Sequence, residues 1–166
     1  MIAWEPTALG AACTMEAEEA DLLERVARQV LALHRAVADA AADVTDPIVA
    51  RLYPAAHAEA EDTAAFRRLA GRGIAERRIR AIERMLADLA EAGPGLRVEV
   101  DEASAESWLT ALADLRIVLH VRAEQLHGDE SAHESALHVF DWLGFHQGTL
   151  LEALDADGRR GPSVVG

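Results

Sequence analysis

Apolar residues recur at intervals of three and four through most of this chain, and that periodicity restricts it to a mainly α-helical fold. Leu22, Leu23, Val26, Val30, Leu33 and Val37 carry the pattern first, and Ile74, Ile79, Ile82, Met85, Leu86 and Leu89 carry it next. Trp108, Leu112, Leu115 and Leu119 form a third set, and Leu137, Phe140, Leu143, Leu150, Leu151 and Leu154 a fourth. Alanine, the best helix former, supplies 35 of the 166 residues, so the 51% hydrophobic content points to helices before it points to a large interior. Aromatic residues make up only 4%. Each of Trp4, Trp108, Trp142, Phe66, Phe140, Phe145 and Tyr53 is therefore expected to anchor packing.

Breaks in the pattern place the elements. Thr14 is read as the cap of a first helix, with Glu16, Glu18 and Glu19 in its opening turn, running to about residue 42. Asp46-Pro47 restarts a short helix that Pro54 closes. A further helix near 59–70 is interrupted by Gly71 and Gly73, and the longer one after it stops at Gly93-Pro94-Gly95. Leu96 to Val100 alternates with period two and reads as a strand, which needs partners from the N-terminal stretch. Asp101 caps the next helix, to about Leu126, and the Ser131–Glu134 capping box opens the last. The expectation is mainly α: a five- or six-helix domain around a C-terminal antiparallel helix hairpin. A minor three-stranded β-sheet forms from residues 2–5, 9–13 and 96–100. One domain spans 1–156, and the polar residues 157–166 are expected to be a disordered tail.

Composition narrows the function classes. A net charge of −13 opposes broad contact with nucleic-acid phosphates or anionic membrane surfaces. No run of about 18 apolar residues predicts a membrane span, and the first ten residues lack the basic-then-apolar order of a secretory signal. Cys13 is the single cysteine, so neither an intrachain disulfide nor a thiolate metal site is expected. A cytoplasmic location follows as the expectation.

Three segments give the chain a family likeness: Asp46-Pro47 with Arg51-Leu52-Tyr53-Pro54; Phe66-Arg67-Arg68-Leu69; and the ordered pair Trp108-Leu109…Asp114-Leu115-Arg116…Arg122 with Asp141-Trp142-Leu143-Gly144…Gln147…Thr149-Leu150. On these residues the chain resembles an actinobacterial family of domains of unknown function, number 2017, whose genes often sit beside a ClpS-type protease adaptor. The resemblance covers nearly the whole sequence and implies a fold and a bacterial cytoplasmic setting, without a reaction. Family members read close to Thr-Glu-Asn-Asp where this chain has Ala70-Gly71-Arg72-Gly73, and asparagine in place of Ala113. They carry glycine in place of His120 and an apolar residue in place of His146. A polar site built on those positions would be altered here.

Candidate chemistry falls in three places. Asp114, Arg116, Arg122 and Gln147 lie on or beside the apolar faces of the last two helices. Two readings are open for them: a pocket that grips a carboxylate or a partner's backbone, or buried ion pairs that set helix register. Glu134 and His138 are four apart on one helix face, and the hairpin brings His138 level with His120, a conceivable zinc or iron set. Against a metal, no His-Glu-x-x-His motif is present. No serine lies in a Gly-x-Ser-x-Gly elbow, and Cys13 is read as a buried small apolar residue before it is read as a reactive thiol at a helix start.

The third place is electrostatic. Between residues 67 and 84 stand seven arginines, among them Arg67, Arg68, Arg77, Arg80 and Arg84, against Glu76 and Glu83, a local net of +5 in an otherwise acidic chain. One reading is a solvated face with internal pairs such as Glu76–Arg80 and Arg84–Asp88. The other is a docking face for an acidic partner, another copy of this protein included. The chain is read as a non-enzymatic protein-interaction or regulatory module without a cofactor, which binds a protein partner or itself. The alternative is a small-molecule or metal-dependent enzyme with its site between the last two helices.

Overall fold

The computed structural model describes residues 2–54, 64–93 and 97–158, apart from the side chains of 64–67 and 157–158. Among the described residues five α-helices and a three-stranded antiparallel sheet follow one another as β1 (Glu5–Pro6), β2 (Gly10–Thr14), α1 (Ala17–Ala38), α2 (Pro47–Leu52), α3 (Ala64–Ala92), β3 (Arg97–Asp101), α4 (Glu102–Gln125) and α5 (Glu130–Gly158).

The sheet order is β1-β2-β3, with Ala12 opposite both Glu5 and Glu99. β2 and β3 lie one residue later than the sequence pattern suggests, and β1 begins three residues later. A side chain at Gly10 would collide with the Val100 carbonyl, so only glycine lets β2 approach β3 there. The sheet's inner residues Ala11, Cys13, Val98 and Val100 are buried, and Trp4 stacks edge-on against Trp108 with ring centroids 5.1 Å apart.

Helix α1 starts two residues later than a Thr14 cap would place it. The cap is Glu16, whose backbone N–H donates to the Glu19 carboxylate at 3.1 Å in a reciprocal capping box. It ends at Ala38, short of residue 42, where Ala40 turns to a positive φ of 55° and Ala41 and Ala42 donate back to the Ala36 carbonyl. Asp46 caps α2 as read, accepting from Ile48 N–H at 2.7 Å.

The break expected at Gly71 and Gly73 is absent: α3 is continuous through both. Each glycine in a helix interior costs about 1 kcal/mol, which the flanking packed turns outweigh. Residues 59–63 of the segment read as a separate helix lie outside the described residues. Asp101 caps α4, accepting from Ser104 N–H at 2.7 Å. The last helix opens two residues before the Ser131 box would place it, because Asp129 accepts from Ala132 N–H at 3.0 Å. It runs on to Gly158, and the remaining tail, 159–166, lies outside the described residues.

Helix α4 is the centre. Its buried residues, from Ser104 through Trp108, Leu112, Asp114 and Leu115 to Ala123, occupy more than one face, because α1, α2, α3, α5 and the sheet all pack on it. The α4–α5 pair turns through Gly128, at a positive φ of 93°.

Candidate functional site

Asp114 is the most connected polar side chain in the interior. It is 4% exposed and sits among Ala111, Leu112 and Leu115 on α4. Its Oδ2 lies 3.1 Å from His34 Nε2 of α1, and its Oδ1 lies 3.3 Å from Arg78 Nη1 of α3. His34 Nδ1 meets the Tyr53 hydroxyl at the end of α2. An ionised carboxylate can only accept, so the His34 Nε2–H donates to it. The Arg78 guanidinium lies over the Tyr53 ring, 5.0 Å from its centroid. Burial pushes the Tyr53 hydroxyl up to about 12; the nearby Arg78 charge opposes that shift and Asp114 adds to it. An Asp–His–Tyr relay has the order of a base-activated hydroxyl, but His34 and Tyr53 are 0% and 1% exposed, and a substrate does not reach them. What the relay does is brace four helices with one residue each.

The four residues read together as a pocket separate into three groups. Arg116 and Gln147 do meet, Nη1 to Oε1 at 2.8 Å, and the Arg116 guanidinium stacks over Phe140 at 4.4 Å. Gly144 makes room for it, since a Cβ there would stand 3.2 Å from Arg116 Cζ. Arg122 instead donates to Gln29 Oε1 on α1 at 2.7 Å, and Asp114 faces His34 and Arg78. The cause is helical geometry: residues two apart, such as Asp114 and Arg116, point to nearly opposite sides.

The histidines do not converge. His120 lies 3.5 Å from Glu124 on its own helix and packs against Phe140, while Glu134 and His138 are exposed on α5. Among the described residues no three His, Cys, Asp or Glu side chains are grouped so as to hold a metal ion. His146 is different: it is 1% exposed, and neither ring nitrogen has a hydrogen-bond partner among the described residues. It is held between Trp142 and Phe145, and burial drives its imidazole down to about 4 against the pull of Glu19. Cys13 is buried, donates to the Ile2 carbonyl at 3.3 Å, and is pushed by burial up to about 11, as an inert core thiol would be.

The arginine run divides by direction. Arg78 turns inward. Arg84 pairs with Asp88 at 3.0 Å as read, and Arg72 takes Glu76 at 3.0 Å, so the Glu76–Arg80 pair does not form. Arg68 is exposed and partnered, and the Arg67 side chain lies outside the described residues. Arg77 and Arg80 are exposed and make no ion pair among the described residues.

Sequence reading missed His34, Tyr53 and Arg78 as members of one network. A faint signal existed: His34 continues the buried stripe Leu23, Val26, Ala27, Val30, Leu31 of α1. A histidine on such a stripe needs a buried partner.

Fold and site together define a mainly α-helical domain with a small antiparallel sheet, its interior cross-braced by buried polar side chains. The chain belongs to the domain of unknown function family DUF2017, whose model matches residues 1–154. No curated protein and no solved structure matches it. No helix among the described residues is long and apolar enough to cross a membrane.

Proposed function

We propose that this chain is a non-enzymatic protein-interaction module of the bacterial cytoplasm, with the exposed arginine side of α3 as its docking face. One observation carries the reading: Arg77 and Arg80 are exposed without an ion pair among the described residues, in a chain whose net charge is −13. Glu76 and Glu83 lie within helical reach of Arg80, yet Glu76 is taken by Arg72 and Glu83 by Arg35. Two exposed guanidinium groups on one face suit recognition of carboxylates on an acidic partner. The polar groups with catalytic order, Asp114, His34 and Tyr53, are buried and satisfied by one another, which favours a structural use. A role in protein turnover draws its support from the ClpS-type gene neighbour that the actinobacterial resemblance implies, an association only.

The test is paired affinity capture from the source organism's lysate, with the native chain and the R77E/R80E variant as baits at physiological salt. Partners held by the native bait and lost by the variant are expected. Retention of the same proteins by both baits, or of none by either, would refute the docking face.

A further inference from the structure

The two most exposed large apolar side chains among the described residues are Leu9, at 73%, and Leu69, at 72%. Leu9 stands beside carboxylates, and Leu69 heads a stripe of α3 that carries arginines. Leu69 shares a stripe of α3 with Gly73, Arg77 and Arg80, spaced by four, four and three residues. A Cβ at Gly73 would meet nothing within 4 Å, so the surface between the leucine and the arginines is open. Leu9 lies in a shallow, open depression with Asp101, Glu102, Ala103 and Glu106, all of them exposed. Glu102 and Glu106 are four apart in the first turns of α4, so their carboxylates present to one side.

We infer that the occupant of the arginine face is a second copy of this chain, docked through its Leu9–Glu102–Glu106 surface; this rests on the docking reading above. The contact brings the two exposed leucines together and sets Arg77 and Arg80 against Glu102 and Glu106. Charge complementarity selects the copy: the chain itself carries a surface opposite in charge to α3 and matched to it in having one exposed leucine. Because the two surfaces differ, the contact is head-to-tail, and it either closes on itself or continues to further copies. Repulsion between two chains of net charge −13 acts over distance and is screened beyond about 8 Å at physiological salt, while contact pairs are screened much less.

Sedimentation equilibrium at physiological salt tests this. The native chain is expected to show a mass above the 17.9 kDa of one copy, rising with concentration. R77E/R80E and E102R/E106R are each expected to remain at the mass of one copy, and an equimolar mixture of the two to regain association. L69S should weaken it. Circular dichroism checks the fold of every variant, and should E102R disturb the start of α4, E106R alone takes its place. A native chain that stays monomeric, a reversed variant of either surface that still associates, or a mixture that does not, overturns the second copy. A monomeric chain whose captured partners are nonetheless lost in R77E/R80E would overturn this inference and leave the docking face standing.

Discussion

Asp114 is held by the His34 imidazole and the Arg78 guanidinium, from different helices, and its removal would strand both. Breaking one partner out of a buried ion pair typically costs about 3–5 kcal/mol, because the remaining charges stay desolvated. D114A is therefore expected to lower the urea midpoint sharply, and a loss below about 1 kcal/mol would show that the relay does not brace the fold. Trp108 and Trp142 separate in the same way. Trp108 is 0% exposed and donates its indole N–H to Asp88 at 2.9 Å, so W108A should cost about 3–5 kcal/mol. Trp142 is only part-buried and reaches Glu19 at 3.3 Å, so W142A should cost clearly less in the same thermal melts. His146 adds a pH dependence. The unfolded imidazole takes up its proton near 6.5, whereas the buried one holds out to about 4. Above 6.5 both states are neutral; as pH falls below it, the unfolded chain binds a proton that the fold refuses. Stability should drop by about 2 kcal/mol between pH 7 and pH 5, and H146L should remove that part of the slope. Equal losses in the native chain and the variant would place the sensitivity elsewhere.

At the scale of elements, α3 shows how little a local breaker decides once packing is available. Gly71 and Gly73 read as an interruption, yet the turns beyond them bury Ala75, Ile82 and Met85, and the helix carries through. Since nothing crowds a side chain at Gly73, G73A is expected to stabilise the domain by about 0.5–1 kcal/mol, through the lower backbone entropy of the unfolded chain. A lower melting temperature in G73A would mean that the glycine serves a local contact. Caps were legible where the side chain had one clear target, as at Asp46 and Asp101. They were misplaced by one or two residues at α1 and α5, where Glu16 and Asp129 competed with Thr14 and Ser131 over the same turn.

Across the whole molecule, net charge acts against compaction. Like charges on one folded chain repel, and salt screens them, so added salt should raise the melting temperature from its low-salt value. A melting temperature that falls with salt would instead assign the larger share to ion pairs such as Arg35–Glu83. Apolar periodicity, alanine content and charge by themselves determined the helical class, the small sheet and the position of the arginine run, because all of these depend on spacing along the chain. Tertiary structure alone decided that Asp114 meets His34, 80 residues away, and that Arg122 turns to Gln29, 93 residues away. It alone left His146 without a hydrogen-bond partner among the described residues. Which polar groups meet depends on how helices rotate about their axes when their apolar faces pack, and a helical repeat fixes the face that is buried without naming the neighbour on the other side.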